Sequence, residues 1–141
     1  MYSRILIPLE NSAADQTIIA HARVLAKRLG SSLVLIHVAD GWVARNAQAL
    51  DLKESEEIQQ DRAYLHDLCA QLEADGLEVD AVLAAGDPAK EIAAAAEREH
   101  CDLIAMATHG HRGLGDLMKG NTATTLRHAT KVPILMVRAG A

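Results

Sequence analysis

The sequence predicts an α/β fold: one domain over residues 1–141, an open twisted five-stranded parallel sheet of order 3-2-1-4-5 with helices on both faces. Three observations predict it. Five short apolar runs are nearly continuous rather than alternating, as expected of strands buried on both faces. Segments with a helical apolar period separate them, which gives β-α-β units joined by right-handed crossovers. Half of the residues are hydrophobic but only 2% are aromatic, and there is no Phe, so the core is built from Ala, Val, Ile and Leu. A chain of 141 residues buries roughly two-thirds of its extended surface, enough for a core without staples.

The first strand is Ile5 to Leu9, the second Leu33 to Val38, and the third, more alternating, Val79 to Ala84. The fourth is Asp102 to Ala107 and the fifth Pro133 to Val137. Ser12-Ala-Ala-Asp15 reads as a capping box with Asp in place of the usual Glu or Gln. The helix after it sets Ile18, Ala22, Leu25 and Leu29 on one face and stops at Gly30. A second helix carries Ile58, Leu65, Leu68 and Leu72 and stops near Gly76. Asp87-Pro88 opens a third helix with Ile92 and Ala96 facing inward, and Lys119 to His128 is a fourth. Residues 40–57, with Trp42 as packing lid or loop anchor, are either a loop or the early part of the second helix.

Composition bounds the function. No stretch approaches the roughly 18 apolar residues of a membrane span, and Ile5 to Leu9 is too short for a signal sequence. Cys69 and Cys101 each sit in an apolar-periodic segment and read as buried free thiols, in keeping with a reducing cytoplasm. The net charge of −5 divides unevenly, +4 over residues 108–141 and −9 over the rest. An acidic chain with one Trp and two Tyr is a poor nucleic-acid binder, but its basic, glycine-rich end suits a small anion.

That end carries the chemistry. Four glycines, Gly110, Gly113, Gly115 and Gly120, fall within eleven residues after the fourth strand. Glycines let backbone N–H groups converge on an anion, and Gly120-Asn121-Thr122 leads into the fourth helix, whose N-terminus favours phosphate. In an open parallel sheet, ligands lie beyond the carboxyl ends of the strands where the winding reverses. Here that places the loop after the fourth strand opposite the loop Leu9 to Ser12. There is no P-loop, no G-x-G-x-x-G after the first strand, and no G-x-S-x-G. His109 and His111 are too close to share a rigid zinc site, and no Cys or carboxylate cluster completes one with them and His128. Arg112 and Lys119 are within range of phosphate oxygens if they are not simply solvated, and His37 reads as a satisfied core histidine.

The spacing from Ala107 through Gly110 to Gly120-Asn121 resembles G-x2-G-x9-G-[ST], the signature of the ATP-binding universal stress proteins. Ile5-Leu-Ile-Pro-Leu-Glu-Asn-Ser12 resembles that family's opening I-L-V-P-V-D-G-S. Leu35 to Val38, Gly86-Asp-Pro88 with Glu91-Ile92, and Val132 to Arg138 resemble its second strand, its G-x-P-x-x-E-I and its last strand. The resemblance spans nearly the whole chain and implies the adenine nucleotide alpha hydrolase-like form of the fold. It implies that Pro8, Leu9 and Glu10 border the base or ribose, Val38 the adenine, and Met106 and Ala107 the ribose. It places Gly110, Gly113, Gly120, Asn121 and Thr122 at the phosphates, with His111 and Arg112 in the same set. Ala107 stands where the signature has glycine, so it fits only if its φ is negative, and Asn121 replaces the Ser or Thr.

The implied ligand is ATP or AMP, with any Mg²⁺ carried by the nucleotide's own phosphates. The implied protein is a cytoplasmic stress-response homodimer joined through Val132 to Arg138, with Ile134 and Met136 at the two-fold axis, and it acts on neither nucleic acid nor membrane. Two alternatives stand beside this reading: a slow Mg²⁺-dependent ATPase, and a nucleotide-free dimeric interaction module favoured by Ala107 and Asn121.

Overall fold

A computed structural model describes residues 1–40, 52–108 and 120–139. The elements run β1 (Arg4–Leu9), α1 (Ala14–Leu29), β2 (Ser32–Asp40), α2 (Leu52–Ala74), β3 (Val79–Gly86), α3 (Pro88–Arg98), β4 (Leu103–Thr108), α4 (Gly120–Ala129) and β5 (Ile134–Arg138). All strand pairings are parallel and the order is β3-β2-β1-β4-β5, as the sequence predicts.

The alternation of side chains along each strand divides the core in two. Ile5, Ile7 and Leu9 of β1, with Leu33 and Leu35 of β2, pack under α1 and α2 against Ile18, Ala22, Leu65 and Leu72. Leu6, Val34, Ile36, Ile104 and Met106 face the other way, onto Ile92 and Ala96 of α3 and Leu126 of α4. Helices therefore cover both faces, which is why the central strands read as unbroken apolar runs. Cys69 and Cys101 are buried free thiols.

One local expectation is corrected. The stripe of α1 is Ile18, Ile19, Ala22 and Ala26, whereas Leu29, the last residue of the helix before Gly30, is 44% exposed. At the start of α1 the assigned N-cap, Ala13, makes no side-chain bond, and a loose capping box comes from Ser12 and Asp15: Ser12 Oγ accepts from Ala14 N (3.3 Å) and Asp15 Oδ2 from Ser12 N (3.4 Å). Asp15 has a further task, described below. By contrast, α3 begins as its sequence indicates. The Asp87 carboxylate accepts from Lys90 N at 3.1 Å and Pro88 occupies the first turn. Just ahead of them Gly86 has φ +130°, a conformation that side-chain-bearing residues rarely adopt, and this accounts for the glycine in Gly86-Asp87-Pro88.

The amino ends of the strands are tied by charge. The Arg4 guanidinium donates to Asp80 Oδ2 (2.9 Å), Glu99 Oε1 (3.2 Å) and the Glu99 carbonyl (2.8 Å). The Asp102 carboxylate accepts from Ser3 N (2.9 Å) and Arg4 N (3.1 Å). Desolvation works against the Asp102 charge, but these backbone donors outweigh it and hold the carboxyl below the ordinary range. This clamp ties the amino-terminal edge of the sheet.

Candidate functional site

The winding reverses between β1 and β4. From β1 the chain proceeds outward through β2 to β3, then crosses to β4 and proceeds outward to β5. β1 lies beside β2 over its whole length, from Arg4 with Ser32 to Leu9 with His37. Beside β4 it is paired only at Ile5 with Leu103 and Leu6 with Ile104. Beyond those pairs the two strands share no ladder, which is the geometry of a ligand crevice at a topological switch point.

Each wall of this crevice has a distinct chemistry. On the β1 side, the turn after Leu9 points its N–H groups inward, but they are already used. The Asp15 carboxylate, 2% exposed, accepts from Glu10 N (3.0 Å), Asn11 N (2.8 Å) and Ser12 N (3.4 Å). The hydroxyl of Tyr64, from α2, also donates to Asp15 Oδ2. Burial, then this bond to a carboxylate, raise the Tyr64 phenol well above its ordinary value, so it remains a protonated donor. An N–H nest of this kind takes an anion, and here the protein supplies the anion itself. The β1 turn is therefore closed to phosphate.

On the β4 side the charge pattern differs. Helix α4 starts at Gly120 and has no acidic residue in its first turn, so its positive end is not neutralised by its own carboxylates. Helix starts present N–H groups that the helix itself does not use. The two walls of the crevice therefore differ: the β1 turn is filled by a carboxylate, whereas the first turn of α4 carries none.

The residues singled out by sequence fall as follows. Pro8, Leu9, Val38, Met106 and Ala107 are all buried, with Met106 in the α3/α4 core and Ala107 in the α1/α2 core. A ligand would thus meet mainly their backbone at the strand ends. Ala107 lies within β4, paired with Val137, and is not among the residues of positive φ, so the extra methyl is accommodated in the core. Glu10 is half-buried and its Oε2 accepts from the Ser12 hydroxyl at 2.9 Å. Gly120, Asn121 and Thr122 form the opening of α4. Gly110, His111, Arg112 and Gly113, together with His109, Lys119 and Trp42, lie outside the described residues.

His37 is a satisfied histidine, as expected. Its Nδ1 lies 3.0 Å from the Leu9 carbonyl and its Nε2 3.3 Å from Asp61 Oδ2. With both ring nitrogens engaged it is not placed to act as a general base. The Cys101 thiol is no nucleophile: burial pushes it up to about 11. Among the described residues no group of three or more His, Cys, Asp or Glu is placed to hold a metal ion, and no helix is long and apolar enough to cross a membrane. A polar depression of about 460 Å³ lined by Ser3, Lys27, Ser31 and Glu78 sits at the opposite, amino-terminal edge and shares no residue with the crevice.

Sequence reasoning missed Asp15, Asp61 and Tyr64. A usable signal was present in part: Asp15 stood where a box residue reaches back to the chain before the helix, and Asp61 interrupts the apolar stripe of α2 between Ile58 and Leu65, with Tyr64 at its margin.

Residues 1–138 match the model of the Universal stress protein family. A curated relative from Methanocaldococcus jannaschii, Universal stress protein MJ0577, is 23% identical over 98% of this chain and 96% of its own length. The solved structure of MJ0577 superposes with a TM-score of 0.82 at 22% identity, over 100% of this chain and 99% of that one. A universal stress protein from Archaeoglobus fulgidus in complex with dAMP aligns with a TM-score of 0.71 at 16% identity, over 96% and 98% of the two chains. A universal stress protein in complex with cAMP aligns with a TM-score of 0.71 at 14% identity, over 99% and 98%.

Proposed function

The chain belongs to the universal stress protein family, and from that premise we propose that it binds an adenine nucleotide, ATP or AMP, in the crevice between the carboxyl ends of β1 and β4. The observation that carries this is the division of donors across the crevice. Asp15 fills the β1 turn, while α4 starts at Gly120 with no acidic residue in its first turn. The base and ribose then lie along Pro8, Leu9, Glu10 and Val38, with Met106 and Ala107 offering backbone beside the ribose. The phosphates lie at Gly120, Asn121 and Thr122 and at the glycine-rich residues Gly110, His111, Arg112 and Gly113 before them. Any Mg²⁺ enters on the phosphates, an ion that needs few protein ligands. Neighbours of the same fold in complex with dAMP and with cAMP support adenine as the base.

In this reading the protein is a cytoplasmic, dimeric regulator whose conformation or partners respond to nucleotide. β5 is a sheet edge with Met136 41% exposed and Ile134 half-buried, and pairing with a second copy along Val132 to Arg138 would cover it. Calorimetric titration with ATP, ADP, AMP and cyclic AMP, with GTP as control, tests the proposal. Binding of adenine nucleotides in preference to GTP is expected, and no heat or thermal shift with any adenine nucleotide rejects it.

A further inference from the structure

The turn that would face the nucleoside does not hold itself in place. Asn11 sits at φ +61°, and Asn11, Ser12 and Ala13 are exposed, so no apolar side chain pins these three residues. What fixes them is polar and comes from two directions. Asp15 gathers the N–H groups of Glu10, Asn11 and Ser12, and Asp15 is itself held by the Tyr64 hydroxyl of α2. One helical turn away, Asp61 of α2 takes Asn11 Nδ2 at 3.5 Å and faces His37 Nε2 at 3.3 Å. The other ring nitrogen of His37 lies 3.0 Å from the carbonyl of Leu9, and since carbonyl and carboxylate both only accept, the ring ties Leu9 to Asp61 when each of its nitrogens carries a proton. Both ends of the segment from Leu9 to Ser12 are thereby fastened to one helix that contributes none of the expected nucleotide contacts.

We infer that α2 is a positioning element of the site: Tyr64 acting through Asp15, and Asp61 acting through Asn11 and His37, set the backbone of Leu9 to Ser12 for the nucleoside. This rests on the nucleotide reading for its ligand but not for its mechanics. Both are positioning residues rather than contact residues, separated from the crevice by the group each one holds.

The test uses the full chain with Tyr64→Phe, Asp61→Ala and Asp61→Asn. Two quantities are read: amide hydrogen exchange at Glu10, Asn11 and Ser12, and AMP affinity by calorimetry. Loss of one hydrogen bond to a carboxylate makes exchange at those three amides roughly tenfold faster, and AMP binding weaker by a similar factor. Exchange in the β2 core, Leu33 to Ile36, stays unchanged. Asp61→Asn, which keeps an acceptor oxygen, falls between wild type and Asp61→Ala. Turn amides that exchange at the wild-type rate overturn the inference, and so does a loosened turn with undiminished AMP affinity. If the wild-type protein binds no adenine nucleotide, the nucleotide reading fails instead, and the exchange rates alone decide whether α2 holds the turn.

Discussion

Replacing Asp15 by alanine removes the acceptor of four hydrogen bonds at once, three from the backbone N–H groups of Glu10, Asn11 and Ser12 and one from the Tyr64 hydroxyl. A bond to a charged group is worth about 1.5–3 kcal/mol net, and a buried donor left without an acceptor costs a similar amount. The turn is only part-buried, so water replaces some of the lost bonds and the full sum does not apply. The longest contact, Ser12 N at 3.4 Å, contributes least. A destabilisation of about 3–4 kcal/mol follows, a fall in Tm of about 10 °C for a domain of this size. Asp15→Asn keeps the shape but turns one acceptor into a donor facing donors, so it is expected to cost as much as Asp15→Ala. Urea unfolding followed by circular dichroism measures both, with Glu57→Ala on the exposed face of α2 as control. Asp15→Ala within about 0.5 kcal/mol of wild type, the range of an ordinary surface change, would refute the self-liganded turn.

Gly86→Ala places a side chain at φ +130° and its Cβ 3.4 Å from Glu91 Oε2, so a loss of about 1–3 kcal/mol is expected by the same unfolding assay, while Ala85→Gly next to it costs less than about 1 kcal/mol. Stability falls as pH rises above about 9. Burial first, with Glu99 and Asp102 adding and Arg4 opposing, lifts the Cys101 thiol from 9.0 to about 11, so between those values the folded state retains a proton that the unfolded chain has released. The stabilisation is therefore complete below 9 and lost through 11, Cys101→Ala shows a shallower alkaline fall, and urea midpoints that rise with pH in this window contradict the assignment. Met136→Lys puts a charge on the β5 edge, and sedimentation velocity at micromolar concentration is expected to show a dimer for wild type and monomer for the variant; a wild type that is only monomer removes the β5 interface.

The sheet was legible because burial on both faces leaves its mark in every central strand: Ile5 to Leu9, Leu33 to Ile36 and Leu103 to Ala107 are apolar without a break. The start of α3 was legible because its three cues are local, namely a glycine with positive φ, a capping Asp and a first-turn Pro. The stripe of α1 was only half legible. Its first turns follow the pattern, but Leu29 is the last residue of the helix and reaches past the core, 44% exposed. The capping motif at Ser12 was legible only in part. The same Asp15 that reaches back to Ser12 N also takes the closer donors of Asn11 and Glu10, and a distant Tyr64 completes the set. Partners 28, 49 and 50 residues apart, as in His37 with Leu9, Tyr64 with Asp15 and Asn11 with Asp61, leave no periodic trace in a sequence. Asn11 is the exception that explains a departure. It stands where the resembling family pattern has glycine, and its φ of +61° is a conformation that Asn adopts more readily than other side-chain-bearing residues.

The central claim is that an adenine nucleotide lies across the carboxyl edge, with its phosphates at α4. Its most direct test is an AMP titration of ¹⁵N-labelled protein followed by amide chemical shifts. The account predicts saturable shifts at Leu9 to Asn11, Val38, Thr108 and Gly120 to Thr122, with Arg4, Ser31 and Asp102 at the opposite edge unmoved. Shifts confined to that opposite edge, or none at millimolar AMP, would contradict it.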